Sequence, residues 1–294
     1  MRPKKSKAGG LIALVGVAVL LVLAFQALFD PGRRVGSGAR VGADKGKEAY
    51  SLSFGEDFKA SLASRDDLGI SVVIAVDVSG SMADAPASGG GPKYIQAAAA
   101  LAEVERVLER LVKTAPPDQV LKVGILKFNE SVKSVLPLAP LDAAGIRALE
   151  AAAMESRNFS PGGKTAIGAA IERGAEWLAQ SGTILRSLVI ITDGENTEGV
   201  EPGVVLEALY ANRNSASRED FPVSTSSTLL SFVGFDIASD YFQRFASLGA
   251  RVTSAADREQ LASVLSSILE ADITRLEAPS LGNEPSGEPG GAGK

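Results

Sequence analysis

Asp77, Ser79 and Ser81 stand at alternate positions in the run AVDVSGSM, residues 75–82, directly after the apolar stretch ISVVIAV. A carboxylate and two hydroxyls at i, i+2 and i+4 just past a strand place three hard oxygen donors on one turn. Such a set suits Mg2+, Mn2+ or Ca2+. Two further candidates lie downstream. Thr165 stands in PGGKTAIGAAI, where a glycine-rich loop opens a helical pattern, and Asp193 follows the apolar run LRSLVIIT in ITDGENTEG. Mg2+ keeps several waters in a near-ideal octahedron, so a few direct hydroxyl ligands with carboxylates holding the waters is a sound arrangement.

Other chemistries are excluded by what the chain lacks. It contains no Cys and no His, which removes disulfides, thiolate catalysis, Ser-His-Asp hydrolysis and zinc held by sulfur or imidazole. The net charge is -5 and no Lys/Arg stripe crosses the central part of the chain, so no nucleic-acid partner is expected. GGKT, residues 162–165, invites a nucleotide-binding reading, but G-x-x-x-x-G-K-[ST] needs glycine at 158, where Asn158 stands. No nucleotide is expected. DVSGS also suggests a phosphotransfer enzyme with an aspartyl nucleophile, yet Ser79 takes the place of the second Asp that haloacid-dehalogenase-type phosphatases use. With no visible pair of nucleophile and base, an enzyme is not expected.

The elements that must position these residues alternate along the chain. Residues 70–76 and 185–192 are near-continuous Val/Ile runs, as in parallel strands covered on both faces. Tyr94, Ala97, Leu101, Val104, Leu108 and Leu111 recur at helical spacing, and Ile167, Ile171, Gly174 and Leu178 mark a second helix. Residues 120–128 and 131–138 read as two strands joined by a turn at Asn129 and Glu130, an antiparallel edge. Pro202 opens a shorter helix, residues 228–235 and 250–254 complete the strands, and Ser254 with Asp257 resembles a capping box before a last helix through Leu269. The pattern predicts an α/β fold: a doubly wound, mainly parallel sheet with one antiparallel edge strand and helices on both faces. Open sheets of this kind bind ligands at the carboxyl ends of their strands, where Asp77 and Asp193 are placed.

At this point the chain resembles the von Willebrand factor A family. The D-x-S-x-S of Asp77, Ser79 and Ser81, the loop Thr165 and the T-D-G of residues 192–194 match that family's metal-ion-dependent adhesion site. The resemblance implies that Ser79, Ser81 and Thr165 bind the metal directly and that Asp77 and Asp193 act mainly through water or switch to direct contact. It also implies a protein partner whose acidic side chain completes the metal sphere.

The remaining segments are tails. Residues 1–8 form a basic leader, and residues 9–29 are apolar apart from Gln26. At about 1.5 Å rise per residue, residues 9–29 can cross a bilayer core of roughly 30 Å as a transmembrane helix. The run exceeds the apolar region of a usual cleaved signal, the alternative reading. The basic leader favours a single-pass signal anchor with the domain periplasmic or extracellular. Residues 30–67 read as a linker, 68–277 as the domain and 278–294 as a Pro/Gly/Ser-rich tail without fixed structure. The expected function is therefore a membrane-tethered, divalent-cation-dependent adhesion or scaffold module. The alternative role is that of an accessory partner of a MoxR-type AAA+ ATPase, which needs access to the cytoplasm. The glycine-rich stretch 83–92 beside the site reads equally as a specificity loop or a solvated insertion.

Overall fold

The structure is a computed structural model that describes residues 50, 52, 69–115, 119–211, 228–237 and 239–274. The leader, the apolar span 9–29, most of the linker and the tail 278–294 lie outside the described residues. Among the described residues, no helix is long and apolar enough to cross a membrane.

The strands are β1 (Gly69–Asp77), β2 (Val120–Phe128), β3 (Val132–Pro140), β4 (Leu185–Thr192), β5 (Thr228–Phe235) and β6 (Arg251–Ala255). They form one sheet in the order β3-β2-β1-β4-β5-β6. Only the β2–β3 pairing is antiparallel; β1 pairs in parallel with both β2 and β4, β4 with β5, and β5 with β6. The helices are α1 (Lys93–Thr114), α2 (Ala143–Met154), α3 (Ile167–Ala179), α4 (Pro202–Ala211), the short α5 (Gln243–Ala246) and α6 (Arg258–Thr274). Every residue of β1 is buried, which is why its sequence is near-continuously apolar between Ser71 and the terminal Asp77 rather than alternating. Its side chains divide between two cores. Ile70, Val72, Ile74 and Val76 pack with Leu101, Leu108, Leu261 and Leu265 of α1 and α6. Val73 and Ala75 pack with Ile167, Ile171, Val205 and Leu209 of α3 and α4. The expected sandwich is thus observed, and successive strands are added on opposite sides of β1. This places the reversal of strand order, and the crevice it opens, at the end of β1.

Two local readings change. Helix α2 was not among the expected elements, because its alanine-rich sequence gives only a weak apolar period. Asp142 starts it, its Oδ1 accepting the N–H groups of Ala144 and Gly145 at 2.9 and 2.8 Å. The capping box before α6 lies three residues later than expected: Asp257 Oδ1 accepts the Gln260 N–H at 2.8 Å, and Gln260 Oε1 accepts the Ala256 N–H at 3.1 Å. Ser254 belongs to β6. Phe232, Phe235, Phe242 and Phe245 are core, with the Phe232 ring 4.8 Å from Phe245 and 5.7 Å from Phe242. Within the span read as linker, Tyr50 and Leu52 pack against the α3–α4 core, and the Tyr50 hydroxyl donates to Glu172.

Helix α3 carries the loop of Thr165 against the loop that follows β4, and the close approach occurs at Gly168. A Cβ there would stand 2.1 Å from the Val200 carbonyl oxygen. Gly168→Ala is therefore expected to cost about 2 kcal/mol or more through overpacking against backbone, read as a lower midpoint in denaturant unfolding.

Candidate metal centre

Asp77 ends β1 with no solvent exposure. Its Oδ1 accepts the Ser79 N–H at 2.7 Å, which curls the chain at the strand end, and its Oδ2 accepts the Thr192 hydroxyl at 2.6 Å. Burial pushes the Asp77 carboxyl up to about 6; the Thr192 and Ser79 hydrogen bonds oppose that shift, and the nearby Asp193 charge adds to it. The curl brings Ser79 Oγ and Ser81 Oγ to 3.2 Å, and Ser81 Oγ donates to Asp193 Oδ1 at 2.8 Å. Thr192 and Asp193 are consecutive, so the hydroxyl that satisfies Asp77 also fixes where Asp193 stands.

The Thr165 loop is pinned from both sides. The Gly80 N–H donates to Gly163 O at 3.0 Å and the Gly162 N–H to Val78 O at 2.8 Å, joining it to the loop after β1. Gly163 has φ +80°, a conformation that favours glycine. On the other side the Thr165 N–H donates to Thr197 Oγ1 at 2.9 Å, and the Thr197 N–H returns to Thr165 O at 2.8 Å. Asn196 Oδ1 accepts the first free amide of α3, the Ile167 N–H, at 2.8 Å. Thr165 is itself buried. Backbone pairing thus draws the three loops that carry the five expected residues together at one edge of the sheet.

Sequence reasoning missed the parts played by three residues, Lys93, Asp236 and Asn129. Lys93, the first residue of α1, places its ammonium 2.8 Å from Asp193 Oδ2 and 3.6 Å from Asp236 Oδ2. Burial opposes its charge, and the Asp193 and Asp236 carboxylates outweigh that effect, so it titrates above the ordinary lysine value. Asp236 follows β5 as Asp193 follows β4, so the same end-of-strand criterion would have found it. Asn129, expected only in the turn between β2 and β3, donates from Nδ2 to Gly162 O at 2.8 Å. Thr192, the first residue of the T-D-G motif, takes part through its hydroxyl, which donates to Asp77. Lys164 of the GGKT run turns outward to pair with Glu198 at 2.8 Å.

The donor set fits a hard divalent cation. Adjacent ligands of an octahedron with bonds near 2.1 Å are about 3 Å apart, and the Ser79 and Ser81 oxygens are separated by 3.2 Å. No three His, Cys, Asp or Glu side chains cluster among the described residues. The centre has two carboxylates beside hydroxyls, and Lys93 supplies one compensating charge.

Residues 72–195 match the family model of the von Willebrand factor type A domain. This supports placement in the von Willebrand factor A family. No curated protein matches the chain. Among solved structures, the PilB minor pilin from Streptococcus sanguinis is 15% identical with a TM-score of 0.53, the alignment covering 71% of this chain and 62% of that one. A von Willebrand factor type A protein from Catenulispora acidiphila is 15% identical at TM-score 0.50, covering 76% of this chain and 52% of that one. The pilus adhesin SpaC from Lactobacillus rhamnosus GG is 12% identical at TM-score 0.52, covering 74% and 32% respectively. The chain therefore spans less than two thirds of each of these proteins, and at these identities the likeness is one of fold.

The Asp77 environment gives a signed pH dependence. An unfolded Asp titrates near 3.9, whereas the native carboxyl titrates about two pH units higher. Between those values the native state holds the extra proton, so this group's stabilising contribution is present below about pH 4 and is lost as pH rises through about 6. The loss is about 3 kcal/mol at 1.36 kcal/mol per pH unit. With chelator present, Asp77→Asn should gain stability on the wild type by that order between pH 4 and pH 7, measured by denaturant unfolding at each pH.

Proposed function

We propose that this chain is a protein-binding module of adhesion or scaffold type, in which a divalent cation, Mg2+ or a similar ion, is held by Ser79, Ser81 and Thr165 with Asp77 and Asp193 acting through water. The observation that carries the reading is the convergence of Ser79, Ser81 and Asp193 within hydrogen-bond distance at the carboxyl ends of β1 and β4, beside the pinned Thr165 loop. A bound cation would supply an electrophilic centre for a partner carboxylate. The chain's own residues do the rest: Asp77 orients the turn of Ser79 through its amide, Thr192 ties β4 to that turn, and Asp193 orients the Ser81 hydroxyl.

Adhesion is favoured by two of the structurally similar proteins, a minor pilin and a pilus adhesin. No catalytic role is proposed. The apolar residues 9–29 would tether the module to a membrane, with the domain on the periplasmic or extracellular side.

Two experiments test this reading. Calorimetric titration of the full chain with Mg2+ and Mn2+, with and without an acidic peptide, should give cation binding that tightens with the peptide. Asp77→Ala should abolish that binding while retaining a cooperative melt; an unchanged affinity in the variant would refute the metal site. A topology reporter fused at Lys294 should report the non-cytoplasmic side, and a cytoplasmic signal would instead favour the ATPase-partner role.

A further inference from the structure

Lys93 occupies a position that local electrostatics disfavour. It is the first residue of α1, where the helix dipole is positive and a cation is normally unfavourable. Its side chain is only 10% exposed, and the Asp193 side chain it meets is fully buried. A local conflict of this kind marks a position selected for something beyond folding. The Lys93 backbone N–H donates to Asp84 O at 2.9 Å, which anchors the residue to the loop that carries Ser81.

Both oxygens of Asp193 are engaged: Oδ1 accepts the Ser81 hydroxyl at 2.8 Å, and Oδ2 accepts the Lys93 ammonium at 2.8 Å. A second acceptor waits beside it. Asp236 Oδ2 lies 3.6 Å from the same ammonium, while its Oδ1 is held by the Ala87 N–H at 3.1 Å. Asp236 adopts φ +58° to stand there, a left-handed conformation uncommon outside glycine. The ammonium therefore sits between carboxylates at the ends of two adjacent strands, β4 and β5, and a small side-chain movement transfers it from one to the other.

We infer that Lys93 is a tethered competitor of the divalent cation: it neutralises Asp193, must cede that carboxylate when a cation binds beside Ser81, and is received by Asp236. The inference rests on the metal-binding reading above and deepens it. Lys93 sets how tightly the centre holds a cation, and Asp236 sets how readily Lys93 gives way. Two positive centres competing for one buried carboxylate repel each other strongly in a low-dielectric site. Divalent affinity is thereby held below what the oxygen donors alone would give.

The test is Mn2+ binding to the full chain by electron paramagnetic resonance of the free ion, with Mg2+ as competitor. The set is wild type, Lys93→Met, Asp236→Asn, the double variant and Asp77→Ala. Removing a positive charge this close to the cation should tighten Mn2+ by roughly tenfold or more in Lys93→Met. Asp236→Asn should weaken Mn2+ severalfold when Lys93 is present and much less when it is absent, a coupling that simple charge removal does not produce. Equal or weaker binding by a cooperatively melting Lys93→Met, with Asp77→Ala inactive, overturns the role of Lys93 and leaves the metal site standing. Absence of Mn2+ binding in both wild type and Lys93→Met overturns the metal site and this inference together. Should Lys93→Met not melt cooperatively, Asp236→Asn decides, and an unchanged affinity there overturns the inference.

Discussion

The carboxylate of Asp77 is withdrawn from water at the end of the most enclosed strand, and the surrounding loops are arranged to meet the demand that this creates. A buried carboxylate without partners is costly, so Ser79 supplies an amide and Thr192 a hydroxyl. Each of those contacts has a structural consequence. The amide contact curls the chain so that Ser79 and Ser81 share one turn. The hydroxyl contact ties the end of β4 to the end of β1 and leaves Asp193, the next residue, beside Ser81. Asp193 in turn meets Lys93, and Lys93 reaches Asp236. One compensation after another thus links three strand ends and the start of α1.

Such a network is possible at this edge because of the sheet's topology. In a parallel sheet wound in both directions from a central strand, the loops leaving adjacent strands diverge and open a crevice. Here the crevice is narrowed by backbone pairing between loops, Gly80 to Gly163 and Gly162 to Val78, with Asn129 bracing the same segment. The turn of Ser79 and Ser81 and the Thr165 loop are therefore held by hydrogen bonds within the chain, main-chain between the loops and through Asp77 and Asp193 at the turn. The centre is preorganised, and preorganisation lowers the entropy lost when a ligand is bound.

The glycine-rich segment between Ser81 and α1 belongs to the same network. Ser88 Oγ donates to Ala256 O at 2.7 Å, and Gln96 Nε2 donates to the carbonyls of Gly89 and Gly91, each at 2.8 Å. Gln96 Oε1 accepts the Arg258 N–H at 3.2 Å. The segment is solvent-exposed along most of its length yet tied to Asp236 and to the start of α6.

The sequence by itself determined the layer order of the domain and the set of oxygen donors that the proposed cation would need. Strands buried on both faces must be apolar throughout, helices covering them must repeat at 3.6 residues, and oxygen donors collected after such strands must fall on one edge. Asp77, Ser79, Ser81, Thr165 and Asp193 were legible for that reason, and the alanine-rich α2 was not, because alanine carries little periodic contrast. Only the tertiary structure decided the charge balance of the centre. Lys93 and Asp193 are a hundred residues apart in sequence, and Asp236 is further still. Whether an ammonium meets a carboxylate across that separation depends on how α1 leaves its loop and how β4 and β5 align in register. Nothing in local composition encodes those distances, so the ammonium that meets Asp193 emerges only when the strands are assembled.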